Sequence, residues 1–227
     1  MKKKKNKNSS KIILIVILIG ILVVAYQKGY LQVDTYATNT NTMEVEEDMK
    51  VILVNRTNKI PDDYTANLVE YKGYFVDSSI VNDLDNMFKD AKKVGVNLNI
   101  NTAYRDKEEQ QDIYDRRIKA YKNEGMTEKE AIERTNSEVQ KPGYSEHETG
   151  LAIDFSNPSN PEDNEPMWEW LNANSYRYGF ILRYPKDKMD ITKVSNEEWH
   201  YRYVGKDIAI EMYETGECLE EYINNLL

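Results

Sequence analysis

Apolar residues are spaced along this chain in three ways, and each spacing predicts a different element. Residues 12–27 carry no charge and are dominated by Ile, Leu and Val. Ile80, Leu84, Met87, Phe88 and Ala91 recur at helical intervals, with Ser78 or Ser79 placed to cap the start and Gly95 to end the helix. Residues 96–100, 151–155 and 199–204 alternate with a period of two, as strands do. In 151–155 this sets Leu151, Ile153 and Phe155 on one face and Asp154 with Ala152 on the other. In 199–204 it sets His200 and Arg202 opposite Trp199, Tyr201 and Tyr203.

The remaining elements follow from caps and breakers. Residues 51–54 form a short apolar run suited to a buried strand, and 55–74, with Pro61 and Gly73, read as loops and turns. Asp106 caps a helix carrying Ile113, Tyr114, Ile118 and Tyr121. Thr127 and Glu130 form a capping-box pair for a third helix, which runs to about Val139 before Pro142 and Gly143 break it. A short helix is expected over 166–174, a strand over 180–184, and closing helices over 206–214 and 219–227. Helices interrupting a few strands predict an α+β domain with a small, mainly antiparallel sheet flanked by helices.

Charge divides the chain. Lys2, Lys3, Lys4, Lys5, Lys7 and Lys11 precede the apolar run and Lys28 closes it. We therefore expect a basic cytoplasmic tail over 1–11 and a transmembrane anchor or signal segment over 12–28. Sixteen helical residues rise about 24 Å, short of the ~30 Å hydrocarbon core by an amount that snorkelling lysines and interfacial Tyr26 and Tyr30 make up. The positive-inside rule leaves the lysines in the cytoplasm and everything after them outside. The alternative is a signal peptide cleaved after Ala25 or Ala37, which releases the same domain. Residues 29–48, rich in Thr, Asn and acids, read as a flexible tether, and 49–227 as a single domain.

Without the seven lysines up to Lys28, 23 basic residues face 39 acidic ones, a net charge near −16, which argues against a nucleic-acid partner. The single Cys218 has no intramolecular disulfide partner. Seventeen tyrosines against four phenylalanines point to aromatic surfaces that meet polar ligands or water.

The chemistry gathers around the two histidines of the chain. His147 lies seven residues before Asp154, and His200 three after Glu197. Two imidazoles and one carboxylate make a three-ligand set suited to a catalytic zinc, with Glu197 available as general base. Arg105, at the end of a strand, is the third point of interest.

Ser145-x-His147-x6-Asp154 with Gly150 and Ala152, followed by Glu197-x-x-His200 with Trp199, resembles the signature of the VanY-type zinc D-alanyl-D-alanine carboxypeptidases. That wider family also includes VanX dipeptidases and peptidoglycan L,D-carboxypeptidases. Tyr104-Arg105 with Gln110, Tyr178-Gly179-Phe180-Ile181 with Arg183-Tyr184-Pro185, and the stretch from Trp199 to Gly205 match as well. The likeness covers about residues 75 to 215. Glu198 departs from it, since relatives commonly have proline there.

The resemblance implies one Zn2+ per chain on His147, Asp154 and His200, with Glu197 as general base and later proton donor. It implies that Arg105 stabilises the oxyanion or grips the substrate's terminal carboxylate, with Gln110, Ser145 and Arg183 as further substrate contacts. The substrate would be a peptidoglycan stem pentapeptide ending in D-Ala, and glycopeptide resistance one possible setting. Two rivals remain open: an L,D-carboxypeptidase acting on tetrapeptides, and a zinc-stabilised, non-catalytic cell-wall-binding domain. Trp199 is expected to pack behind His200, and Glu148 to be solvated.

Overall fold

The computed structural model describes residues 51–226. The expected anchor and tether lie outside them, and no described helix is long and apolar enough to cross a membrane. Four strands, β3 (Ile100–Thr102), β4 (Ala152–Phe155), β5 (Phe180–Tyr184) and β6 (Glu197–Tyr203), form an antiparallel sheet in the order β3-β4-β6-β5. Two more, β1 (Leu68–Tyr71) and β2 (Tyr74–Asp77), make a separate hairpin.

Side-chain alternation gives the four-stranded sheet two different faces. Leu151, Ile153, Phe155, Phe180, Tyr201 and Tyr203 pack into the main core with α1 (Val81–Lys93) and α4 (Asn164–Asn174). From α1 come Leu84, Met87 and Ala91, all without solvent exposure, on the stripe predicted by the spacing. Burying each large side chain there contributes at most about 1.5–3 kcal/mol. On the opposite face Ile181 and Val204 join a smaller cluster with Ala209 and Met212 of α6 (Lys206–Thr215) and Leu219 and Tyr222 of α7 (Leu219–Asn225). The polar residues of the strands, Asp154, His200, Arg202 and Arg183, share this second face.

Helices α2 (Lys107–Asn123) and α3 (Glu128–Thr135) pack together as a hairpin, and α5 (Met189–Thr192) is a single turn before β6. Asp106 caps α2 through the Glu109 amide at 2.8 Å, and Thr127 with Glu130 forms the capping box of α3, as their spacing predicted.

Five expectations are corrected. Residues 51–54 form no strand; Val51 and Leu53 lie on the smaller core cluster, and the Ile52 carbonyl accepts from Arg202 Nη2 at 3.1 Å. The stretch read as loops holds the β1–β2 hairpin, whose two-residue turn places Lys72 and Gly73 at positive φ, and Asp77 rather than Ser78 or Ser79 caps the turn entering α1. The strand expected at 96–100 begins only at Ile100, because the Val96 amide still bonds back to Ala91 and the Asn99 amide faces the Met167 sulfur. Finally, α3 stops at Thr135, and turns carry the chain to Val139.

Candidate active site

His147 sits on a short 3-10 turn, Glu146–Thr149, and several bonds hold that turn in place. Tyr64 Oη donates to the Thr149 carbonyl at 2.7 Å, and Thr149 Oγ1 to the Glu146 carbonyl at 2.5 Å. The Glu148 carboxylate accepts from the Gly143 and Ser145 amides at 2.8 and 3.3 Å. Glu148 is therefore half-buried and tied to the loop, not solvated as expected; burial pushes its carboxyl up, against the pull of those amides. Gly150 ends the turn at φ +72, where an added Cβ would stand 2.9 Å from the Asp77 amide nitrogen. Only glycine accommodates both the left-handed backbone and that close approach.

Asp154 and His200 reach the same place from neighbouring strands, as register partners of β4 and β6. The ligand atoms of His147, Asp154 and His200 all lie within 4.8 Å of one another. His147 Nδ1 lies 2.7 Å from the Ala103 carbonyl, which only accepts, so Nδ1 carries the proton and the Nε2 lone pair faces Asp154 Oδ2 at 3.4 Å. His200 turns the other way: its Nε2 is 3.2 Å from Glu146 Oε2, and its Nδ1 is 2.9 Å from Asp154 Oδ1. One nitrogen of each ring is thus engaged from outside while the other points at the shared carboxylate.

The electrostatics suit a cation. Burial holds His147 below its ordinary value, which keeps it the neutral ligand a metal needs. Burial also opposes ionisation of Asp154, but the two imidazoles hold its carboxyl well below the usual range. At His200 burial is outweighed by Asp154, Glu146 and Glu197, and without a metal the ring titrates up at about 9. A proton then sits where a divalent ion would otherwise neutralise the carboxylates. One carboxylate and two histidines, each ring oriented by a group behind it, are the donor set of a catalytic zinc site.

Glu197, at the start of β6, has its carboxylate 3.9 Å from His200 Nδ1. Burial raises it to about 7 despite the pull of His200. Arg105 follows β3, its amide bonded to the His147 carbonyl at 3.2 Å and its Nη1 to Gln110 Oε1 at 2.7 Å. Gln110 in turn donates to the Gln140 carbonyl at 2.6 Å. The Nε of Arg105 is buried and finds no partner among the described residues. These groups line a cavity of about 320 Å³ with Tyr184 and Trp199, and Trp199 packs on Trp168 with ring centres 6.2 Å apart.

Not every residue expected to touch a substrate lies there. Ser145 is buried and outside the cavity lining. Arg183 is fully buried and outside the lining too, paired with Glu146 and Glu220 at 2.8 and 2.7 Å. The resemblance implied a substrate contact, but although Arg183 shares the sheet face of His200 its guanidinium is taken up by the buried Glu146 and Glu220 carboxylates. Sequence reasoning in turn passed over Glu146, which bonds His200, Arg183 and Arg202 at once. The available signal was Arg202, two residues from His200 on the same strand face, a cation that calls for a carboxylate.

Comparison with known proteins agrees with this geometry. The profile of the VanY family, D-alanyl-D-alanine carboxypeptidase, matches residues 74–206. A D-alanyl-D-alanine carboxypeptidase of Enterococcus faecalis is 43% identical over 180 residues, which are 79% of this chain and 67% of that one. Among solved structures, a Zn(II) complex of a vancomycin-resistance D,D-pentapeptidase VanY variant superposes with a TM-score of 0.72 at 43% identity, covering 76% of this chain and 97% of the other. VanYB in complex with D-alanine-D-alanine gives 0.73 at 44%, covering 76% and 96%. The mixed α/β fold with its small antiparallel sheets is that of a zinc peptidase, and the chain belongs to the VanY D-alanyl-D-alanine carboxypeptidase family.

Proposed function

We propose that this chain is a zinc-dependent D-alanyl-D-alanine carboxypeptidase that removes the C-terminal D-Ala from peptidoglycan stem pentapeptides. The observation that carries the reading is the convergence of His147, Asp154 and His200 beside Glu197 and Arg105 in one cavity. His147, Asp154 and His200 hold the metal. Zinc bound there supplies Lewis acidity, acidifying water and polarising a carbonyl.

The remaining steps belong to the protein. Glu197, raised to about 7, exchanges a proton near neutral pH, so it serves as general base toward water and then as acid toward the departing amine. Arg105 recognises the free carboxylate that defines a carboxypeptidase substrate, because a guanidinium presents paired donors in a fixed fork. Gln110 acts through Arg105, fixing Nη1 and leaving the other donors to the cavity. A buried site with a free general base favours a hydrolase over a silent wall-binding module, which has no use for Glu197.

Position in the cell follows from the sequence. The lysine-flanked apolar run at 12–27 tethers the domain to the membrane with residues after Lys28 outside, where lipid-linked pentapeptide is available. A role in glycopeptide resistance is consistent with that placement, since trimming pentapeptide removes the D-Ala-D-Ala end. The test is an assay of pentapeptide, tetrapeptide and free dipeptide side by side, with and without chelator. D-Ala release from pentapeptide that stops on chelation is expected; release from tetrapeptide alone would transfer the chain to the L,D-carboxypeptidases.

A further inference from the structure

Behind His200 a chain of buried charges runs away from the cavity. Glu146 Oε2 meets His200 Nε2 at 3.2 Å, and Glu146 Oε1 accepts from Arg183 Nε at 2.8 Å and Arg202 Nη1 at 3.0 Å. Arg183 then forks onto Glu220, Nη1 to Oε2 at 2.8 Å and Nη2 to Oε1 at 2.7 Å. Glu220 Oε1 also accepts from Asn55 Nδ2 at 3.0 Å. All six residues are at least nine-tenths buried, and both arginines are essentially without exposure. Glu220 lies on α7 and Asn55 before β1, both outside the segment 74–206 that matches the family profile.

Purely as scaffold, such a chain is a poor choice, because well-packed apolar residues of similar volume stabilise a core as well or better. Its geometry does something apolar residues do not. A carboxylate fixed against Nε2 requires the proton on that nitrogen and leaves Nδ1 for the cavity side. Glu146 is itself fixed only because two guanidiniums grip its other oxygen, and Arg183 is aimed by its fork on Glu220.

We propose that Glu220, Arg183 and Glu146 form a positioning relay that sets the tautomer and orientation of His200, so that α7 is part of the metal site although none of its side chains reaches the metal. This rests on the zinc reading above. The relay explains why a strand-end arginine is wholly buried. It also extends the working domain past residue 206 to the C-terminal helix.

The test uses the full-length chain and its two histidines, whose ring nitrogens give a simple 15N spectrum. Zinc-loaded protein is expected to show His200 protonated at Nε2, with that proton slow to exchange. A His200 protonated at Nδ1 instead would overturn the relay, whereas a chain that takes up no zinc at all would sink the zinc reading itself. Zinc affinity by chelator competition is expected to fall at least about tenfold in Glu146→Gln and about tenfold in Glu220→Gln. Tyr222→Phe is the control: it removes a bond from the same helix to Glu211 at 3.0 Å without touching the relay. Wild-type affinity in Glu220→Gln, or an equal loss in Tyr222→Phe, would reduce the charges to scaffold.

Discussion

Asp154 and His200 stand directly opposite each other on two antiparallel strands, with Oδ1 2.9 Å from Nδ1. The strand ladder, not a loop, therefore sets the distance between two of the three proposed metal ligands. A slip of one residue would send either side chain into the apolar core, so register and metal binding are specified together. His147 is the proposed ligand that depends on a turn, and that turn is anchored by Ala103, Tyr64 and Asp77. Ligands built on strands are held more rigidly than ligands on loops, which suits a site that must keep one position open.

Glu197 lies beside this set without belonging to it, 3.9 Å from His200 Nδ1. Glu197→Gln keeps size and shape but removes the group proposed to take and return a proton. We expect zinc content to stay at the wild-type level while kcat falls about 10²–10⁴-fold. Metal analysis and turnover on the same preparation check this; undiminished turnover would take Glu197 out of the mechanism.

Stability should depend on pH differently with and without metal. In the chelated chain His200 titrates at about 9 folded against an ordinary 6.5, so the stability it contributes is full below 6.5 and lost as pH rises toward 9. Glu146 works in the other direction. Burial opposes its ionisation, but Arg183 and Arg202 hold it well below the ordinary 4.5, so its contribution is present above that value and lost as pH falls below it. Thermal melts of the chelated protein should therefore fall off below about 4.5 and again toward 9, while between those limits Glu197, raised to about 7, loses stability with rising pH and His147, held below its ordinary value, gains it. On the proposed assignment zinc would take the place of the Nδ1 proton, so loading should remove the alkaline loss that His200 contributes and leave the acid one. An alkaline limb unchanged by zinc would mean that His200 is not a ligand.

How much of the fold and the site was legible in the sequence depended on whether a signal was local. His147 on its turn and Glu197 at the start of β6 were reached through the motif that carries the resemblance, whereas Asp154 and His200 stand on strands whose alternation fixes the facing side, so that pair was readable from two short segments. Caps at Asp106 and Thr127 were readable for the same reason. The β1–β2 hairpin was not, because its strands are four residues long, half-exposed and without clear alternation. Arg183 was misplaced since its partners Glu146 and Glu220 lie 37 residues away in either direction, and no local pattern marks such a pairing.

Arg105 offers a prediction about recognition. Its Nη1 is spent on Gln110, and its Nε is buried without a partner among the described residues, so the guanidinium is fixed in orientation but retains donors for a ligand. Arg105→Lys keeps the charge and loses the fork. The expected loss in kcat/KM is about 10²-fold, near the cost of removing one oxyanion donor, with zinc affinity unchanged. Gln110→Ala should reproduce part of that loss through Arg105 alone, so combining the two changes should cost less than the sum of their separate effects. Strict additivity would show that Gln110 contacts substrate independently.

Gly150 ties the metal turn to the hairpin, and its replacement separates two costs usually confounded. Gly150→Ala imposes a left-handed backbone on alanine and also pushes a Cβ to 2.9 Å from the Asp77 amide nitrogen and 3.1 Å from Leu68 Cδ2. Gly73→Ala imposes only the first cost, since at φ +86 its added Cβ meets nothing within 4 Å. Gly73→Ala should therefore cost about 1–2 kcal/mol by denaturant titration, and Gly150→Ala distinctly more. The clash also strains the Asp77 amide's 2.9 Å bond to the Gly150 carbonyl, three residues from His147, so Gly150→Ala should weaken zinc binding as well. Equal stability costs with unchanged zinc affinity would show that the turn can shift without moving His147.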